Sequence, residues 1–204
     1  SAASDVYKRQ VLSNRLLKEV DKITSIPISL AMRYGNPSIE KGIKELSDKG
    51  VTDILLIPLY PQHAMASTET ILVLAEEIRN NLYPHIEFTN LPAFYNHPDY
   101  IKVLSNSIQN YLKDKEWDHL LFSYHGIPER HIRKSDVTRS HCKINGECCR
   151  VASPAHEFCY RHQCYETTKQ VVKYLELKED TYSSSFQSRL AGQPWLKPYT
   201  DKVI

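Results

Sequence analysis

Glycine is scarce in this sequence: 6 of the 204 residues are glycine, and no glycine-rich nucleotide-binding motif occurs. Because both G-x-G-x-x-G and G-x-x-x-x-G-K-[ST] are missing, a dinucleotide cofactor and a P-loop nucleotide have no support. The formal net charge is only +2, which gives no reason to expect nucleic acid as a partner. No apolar run approaches the length that spans a bilayer. The expected ligand is therefore neither a nucleotide nor a nucleic acid.

The first ten residues lack the apolar core of a signal peptide. Their polar composition predicts that the protein is cytoplasmic. We interpret residues 1–10 as a foreign or disordered tail, because the patterned part of the sequence begins only after them.

Cysteine is absent up to residue 141, and all five cysteines lie within residues 142–164. Cytosolic chains rarely keep disulfides, and thiolates gathered in one loop more often bind a metal. The spacing C-x5-C-C-x9-C-x4-C matches neither the paired C-x2-C of a zinc ribbon nor a standard ferredoxin. An iron–sulfur cluster, a structural zinc and free thiols all remain open on spacing alone.

Hydrophobic periodicity predicts alternating strands and helices. Strands are predicted over residues 27–32, 53–59, 87–91, 119–124 and 182–187, and helices over residues 16–23, 39–50, 70–82, 98–113 and 166–177. This alternation indicates an α/β fold with parallel sheets, right-handed crossovers and a doubly wound architecture. We place a boundary after residue 66, so that residues 11–66 and 67–204 form two halves, the second with a cysteine-rich loop at 135–164.

His125 ends an apolar, strand-like run and is followed at once by Gly126, Ile127 and Pro128. In open parallel sheets ligands bind beyond the carboxyl ends of the strands. An imidazole placed there can accept a proton or bind a metal near neutral pH. His125 is thus a candidate catalytic residue, and a purely structural histidine is the alternative.

Four other side chains are candidates for binding an anionic or flat ligand. Arg33 follows a predicted strand and suits an anion, although an ion pair with a neighbouring carboxylate is equally compatible. Tyr60 and His63 follow the next strand and are predicted to line a cleft. Trp195 offers a flat face to a ligand, with core packing as the alternative.

Several blocks, in order along the chain, resemble the ferrochelatases. They are residues 32–39 (MRYGNPSI), residues 58–62 (PLYPQ), residues 121–128 (LFSYHGIP), residues 185–189 (SFQSR) and residues 195–202 (WLKPYTDK). The similarity extends from about residue 11 to the last residue. It implies two Rossmann-like halves, both incomplete, that face a porphyrin cleft.

The resemblance also implies an activity: a lyase that inserts Fe2+ into protoporphyrin IX or a related porphyrin, such as coproporphyrin, late in haem biosynthesis. His125 would act as catalytic base and ligand of the substrate iron, and Arg33, Tyr60, His63 and Trp195 would contact the porphyrin. The family's Asp-His-x-x-Glu stretch and its N-terminal porphyrin loop are missing from this sequence. We therefore expect this fragment to be inactive. A peripheral membrane contact is compatible with so apolar a substrate.

Some bacterial ferrochelatases carry a two-iron two-sulfur cluster in an internal segment that residues 142–164 resemble. The resemblance implies Cys142, Cys149, Cys159 and Cys164 as ligands and Cys148 as the spare thiol, although the vicinal pair could exchange roles. The cluster would be structural or redox-sensing. Two alternatives remain for the whole chain: a cysteine-ligated iron–sulfur or zinc regulatory module in which His125 only packs, and a cobalt or nickel chelatase of the same fold.

Overall fold

A computed structural model describes residues 2–204, with side chains from residue 10 onward. The chain divides into two compact units. Unit 1 runs to Pro58 and includes Glu69–Leu91, and unit 2 consists of Leu59–Thr68 and Pro92–Ile204. In the part of the chain that the structure describes, no helix combines the length and apolarity needed to cross a membrane.

Unit 1 contains three helices and one parallel strand pair. Its elements are α1 (Ala2–Asp21), α2 (Ile39–Asp48), β1 (Asp53–Leu56), α3 (Thr70–Leu82) and β2 (Glu87–Asn90). The register of the pair runs from Asp53 opposite Glu87 to Leu56 opposite Asn90. As predicted, α2 begins after Ser38, whose hydroxyl accepts the Lys41 N–H at 3.1 Å.

Two sequence predictions differ from the structure of unit 1. Residues 27–32 form no strand, because Met32 closes a local turn through its N–H to the Pro37 carbonyl at 2.7 Å. Strand β1 ends at Leu56 rather than at residue 59, and Pro58 has no N–H to continue a ladder. Residue 1 of the predicted tail lies outside the described residues. Residues 2–10 lie at the start of α1, and their assignment as a foreign or disordered tail stays a prediction.

Unit 2 contains the second parallel pair, formed by β3 (Leu120–His125) and β4 (Tyr182–Gln187). Its helices are α4 (Pro98–Leu112), α5 (Glu129–Ser135), α6 (Tyr160–Leu175) and α7 (Thr200–Val203). Helix α6 packs against α4, and it begins six residues earlier than predicted, directly after Cys159. The charged run after His125 forms α5, which buries Ile132 beneath its exposed charges.

The α/β fold class with parallel pairing is confirmed. The division between units differs from the predicted boundary after residue 66, because Glu69–Leu91 belongs to unit 1. Strand β2 pairs with β1 and α3 packs on α2, so this stretch completes the core of unit 1.

Candidate active site and cysteine loop

His125 is the last residue of β3, and it is exposed at the carboxyl end of the strand. Strand β4 pairs with it there through Gln187. Gly126 follows and donates its N–H to the Gln187 carbonyl at 2.7 Å. A Cβ on Gly126 would lie 2.7 Å from the same oxygen, so a larger residue would displace the strand end. The glycine thus fixes the backbone that presents His125.

Tyr160, in the first turn of α6, holds the backbone carbonyl of His125. Its hydroxyl donates to that oxygen at 2.9 Å. Burial raises the pKa of the Tyr160 phenol, so the hydroxyl keeps its proton and remains a donor. The main chain of His125 is therefore anchored, while the residue stays exposed.

Trp195 lies beside this strand end but is buried. Only 8% of it is exposed, and its Nε1 has no hydrogen-bond partner among the described residues. Its backbone bridges to Pro128, and its ring lies 3.5 Å from where a Cβ of Gly126 would stand. This burial favours the packing role over a flat face for a ligand.

Tyr60 and His63 lie in the stretch 59–68, which belongs to unit 2. Tyr60 is 42% exposed. The His63 ring packs edge-on against Phe158, with centroids 5.2 Å apart. The His63 N–H donates to the Gln163 side chain at 2.6 Å, so this stretch is tied to α6. Both residues therefore belong to the same unit as His125.

Arg33 belongs to unit 1 and follows no strand. Its guanidinium lies over the ring of the exposed Tyr34, 4.8 Å from the centroid. The Arg33 Nε is buried without a hydrogen-bond partner among the described residues, and no ion pair with a described carboxylate forms. A donor is therefore left for another group.

Four cysteines line one cavity in the loop between α5 and α6. Its walls are Cys142, Cys148, Cys149 and Cys159, together with Ile132, Asp136, His141, Ala155 and His156. Every one of the five cysteines is a free thiol. The loop therefore brings together thiols that are up to 17 residues apart in the sequence.

The four thiols interact in two pairs. The interaction between the Cys149 and Cys159 side chains raises the pKa of the Cys149 thiol and lowers the pKa of the Cys159 thiol. Burial raises the pKa of Cys142, and a hydrogen bond with Cys148 acts in the same direction. The lowered pKa favours the thiolate form of Cys159.

Arg161 lies in the first turn of α6 and is 3% exposed. Its Nε donates to Cys149 Sγ and its Nη2 to Cys148 Sγ, both at 3.3 Å. Its Nη1 donates to the Ile144 carbonyl at 2.9 Å. Burial opposes the charge of Arg161, but the neighbouring sulfurs of Cys149 and Cys148 outweigh it and raise the guanidinium pKa.

Three histidines bind the backbone of the vicinal cysteine pair. The carbonyl of Cys148 accepts from His141 Nε2 at 2.8 Å and from His156 Nε2 at 3.0 Å. The carbonyl of Cys149 accepts from His162 Nδ1 at 2.9 Å. The rings of His156 and His162 are stacked, with centroids 3.6 Å apart. These bonds fix where the two cysteines stand.

Asp136 accepts hydrogen bonds from two other residues of the loop, Thr138 and Cys142. Its Oδ1 accepts from the Thr138 N–H and hydroxyl, and its Oδ2 accepts from the Cys142 N–H at 2.8 Å. Although burial opposes ionisation, these hydrogen bonds lower the pKa of the Asp136 carboxyl. The carboxylate therefore holds Cys142 in place.

Cys164 is fully buried and does not line the cavity. Burial raises the pKa of its thiol, and a hydrogen bond with Tyr160 acts in the other direction. The ligand set predicted from the sequence, with Cys164 included and Cys148 spare, thus differs from the placement of the thiols. Among residues 2–204, no group of three or more His, Cys, Asp or Glu is arranged to hold a metal ion, so metal binding stays a prediction.

Comparison with known proteins gives the family. The ferrochelatase family model matches residues 7–204. The chain belongs to the ferrochelatase family. It is 44% identical over 178 residues to the ferrochelatase of Opitutus terrae and 42% identical over 193 residues to that of Ectopseudomonas mendocina. It is 38% identical over 193 residues to the ferrochelatase of Pseudomonas fluorescens.

These matches cover 87% of this chain with the Opitutus relative and 94% with the other two. They cover 51%, 56% and 56% of the respective relatives. The chain therefore spans about half the length of the ferrochelatases it matches. Both the His125 strand end and the cysteine loop lie within the family match.

Sequence reasoning missed residues whose hydrogen bonds hold the His125 strand end, the stretch 59–68 and the cysteine loop in place. They are Tyr160, Arg161, Gln163, Asp136, His141, His156 and His162. Their hydrogen bonds join positions up to 100 residues apart, as between His63 and Gln163. One signal was available: residues 159–164 (CYRHQC) place one arginine, one histidine and one glutamine between two cysteines, which is unusual for a plain helix start.

Proposed function

We propose that this chain is part of a ferrochelatase, a lyase that inserts Fe2+ into protoporphyrin IX or a related porphyrin in the last stage of haem biosynthesis. The observation that carries the proposal is His125, an exposed imidazole at the carboxyl end of a parallel strand. The family membership and the names of the relatives support the same activity.

Insertion of a metal requires that two pyrrole protons leave the porphyrin and that the iron reaches the ring nitrogens. A neutral imidazole can accept such a proton or bind the incoming iron. Gly126 and Tyr160 hold the backbone of His125, so the imidazole is positioned before the substrate arrives. His125 is therefore proposed as base and iron ligand.

Tyr60, His63 and Arg33 are proposed as porphyrin contacts, each on the features of its own unit. Tyr60 supplies an exposed aromatic ring, and His63 lies on the same stretch. Arg33 supplies a guanidinium with an uncommitted Nε, which suits a propionate. The buried Trp195 is proposed to support the strand end instead of touching substrate.

The test compares His125→Ala with His119→Ala in the complete reading frame that contains this chain. His119 is a matched control, because it precedes the same strand and is exposed, with its Nε2 bound to Ser183 Oγ at 2.9 Å. We expect His125→Ala to lower iron insertion at least about a hundredfold and His119→Ala to leave it nearly unchanged.

An His125→Ala protein that folds and keeps more than about a tenth of the insertion rate would contradict the assignment. The 204-residue chain by itself is proposed to be inactive. Porphyrin binding by this chain, followed by absorbance, would still separate a chelatase fragment from a regulatory module.

We further propose that the cysteine loop holds a two-iron two-sulfur cluster through Cys142, Cys148, Cys149 and Cys159. Two observations support this proposal: four thiols line one cavity, and a buried guanidinium already donates to two of them. When bound, such a cluster supplies one-electron redox chemistry. Its proposed role is structural or redox-sensing.

Anaerobically purified protein is expected to be brown, with about two irons and two sulfides per chain. Cys148→Ala should abolish this binding, whereas Cys164→Ala should keep it. The reverse pattern would restore the ligand set predicted from the sequence. A colourless protein with one zinc per chain would assign the loop to a structural zinc.

A further inference from the structure

Beside the cysteine cavity lies a buried cation, Arg161, whose charge is balanced by no carboxylate in the part of the chain that the structure describes. Arg161 is 3% exposed, and all three of its hydrogen bonds go to two sulfurs and one carbonyl. Within the described residues it forms no ion pair. A buried charge without a counter-charge is costly, so an anionic group beside Arg161 would stabilise the folded protein.

The one carboxylate that lines the cavity does not supply the missing charge. Asp136 directs its oxygens to Thr138 and Cys142 at 2.7 to 2.9 Å. The nearby histidines are also engaged: His141 and His156 bind the Cys148 carbonyl. The groups that Arg161 contacts directly are the sulfurs of Cys148 and Cys149.

Thiols become anions when they bind a metal. Four thiolates carry more negative charge than the two positive charges of either Zn2+ or an oxidised two-iron two-sulfur core. The loaded site is therefore a dianion with either occupant. Arg161 is the buried cation that would offset this negative charge. Its N–H groups already donate to two of the four sulfurs.

We propose that Arg161 is the charge-compensating positioning residue of the cysteine site, and that its N–H···S bonds stabilise Cys148 and Cys149 as metal-bound thiolates. This inference rests on the proposed four-cysteine set but not on which metal group fills it. Hydrogen bonds to sulfur and net charge are the quantities that set both the affinity and the reduction potential of such sites.

The test uses the purified chain and Cd2+ as a thiol-seeking probe, followed by its thiolate charge-transfer absorbance. The variants are Arg161→Gln and Arg161→Lys. Arg161→Gln removes the positive charge. Arg161→Lys keeps the charge but loses the guanidinium, whose separate N–H groups donate to two sulfurs. Arg150→Gln is the matched control, because Arg150 lies in the same loop and is exposed. Circular dichroism checks that each variant is folded.

We expect Arg161→Gln to weaken Cd2+ binding about ten- to a hundredfold, Arg161→Lys to weaken it less, and Arg150→Gln to change it less than about twofold. In cluster-loaded protein, Arg161→Gln should lower the reduction potential. A tenfold loss in stabilisation of the reduced state corresponds to about 59 mV for a one-electron couple.

The test distinguishes an error in the four-cysteine set from an error in the role of Arg161. If Cys148→Ala keeps wild-type Cd2+ affinity, the four-cysteine set is wrong. If the cysteine variants lose Cd2+ but Arg161→Gln binds within about twofold of wild type, the set stands and the role of Arg161 is overturned. If Arg161→Gln does not fold, Arg161→Lys decides, and a loss below about twofold counts against the proposal.

Discussion

The two units have cores of different chemistry. The core of unit 1 is aliphatic and consists of Ile39, Ile43, Leu46, Ile54, Ala75 and Ile86. The core of unit 2 mixes Cys159, Tyr160, Cys164 and Phe186 with aliphatic side chains. Unit 2 also buries polar groups, which include Arg161, Gln163, Thr167, Thr168 and Ser185.

An aliphatic core and a core with buried polar groups place different demands on the sequence. An aliphatic core needs the right volume and pattern, and it tolerates repacking. A core with buried polar groups needs each donor and acceptor paired, because an unpaired group is costly. The candidate chemistry lies in the second kind of core, where hydrogen bonds reach both the His125 strand end and the cysteine loop.

The largest expected effect tests the aliphatic core. Ile86 is fully buried, and Ile86→Ala should lower the free energy of unfolding by about 3 kcal/mol through lost burial and a cavity. Ile23→Ala is the control, since Ile23 is 83% exposed. Urea denaturation measures both. A change below about 1 kcal/mol for Ile86→Ala would mean that this core is looser than its burial indicates.

The next effect tests the polar core. Gln163→Leu keeps the volume but removes the donors to the His156 and Glu157 carbonyls, at 3.2 and 2.7 Å, and the acceptor for the His63 N–H. We expect a loss of about 2 kcal/mol. The exposed Gln109→Leu serves as control. If Gln163→Leu were neutral, the contrast between the two cores would not hold.

Asp136→Asn replaces the oxygen that accepts the Cys142 N–H with an NH2 group, or else disrupts the bonds to Thr138. The expected cost is about 1.5 kcal/mol. Because the folded-state pKa of Asp136 is lowered, its stabilisation is present above the unfolded pKa and is lost as pH falls through the folded pKa.

The Asn variant should therefore lose stability at neutral pH and lose part of the acid dependence. Hydrogen exchange of the Cys142 amide at two pH values checks this, with the exposed Asp118→Asn as control. Equal acid dependence in Asp136→Asn and wild type would contradict the role of the carboxylate.

The smallest expected effect is on Tyr160→Phe, which removes the donor to the His125 carbonyl. The loss should be about 1 kcal/mol. Under the proposed ferrochelatase function, iron insertion should fall in kcat more than in KM, because the proposed base His125 is displaced rather than removed. Tyr111→Phe is the control, since Tyr111 is 69% exposed. If Tyr160→Phe left kcat unchanged, the hydrogen bond to the His125 carbonyl would have no part in the reaction, and Tyr160 would have a packing role only.

The elements of unit 1 were largely predictable, because their signals are local. The Ser38 cap predicted the start of α2, and the apolar face at Ile71, Leu74 and Ile78 predicted α3, whose bounds Thr70–Leu82 were correct. Strand β4 was also predicted over its observed length. The strand predicted over residues 27–32 does not form, because a strand needs a partner strand. The Met32 N–H donates to the Pro37 carbonyl of a local turn instead.

The candidate site was predictable only in part. The position of His125 at a strand end follows from the apolar run and the glycine after it, both of which are local. The start of α6 and the choice among the cysteines depend on contacts between distant residues, such as Arg161 with Cys148. Spacing along the chain carries no information on which of five thiols faces a cavity.

Synthesis order constrains how unit 2 can form. Its stretch 59–68 is bound to α6 through His63 with Gln163 and through Gln62 with Thr167, partners separated by 100 and 105 residues. A ribosome that makes the chain from its N-terminus therefore presents this strip long before its partner helix exists. The contacts between this strip and α6 therefore form late in translation, once α6 has been made.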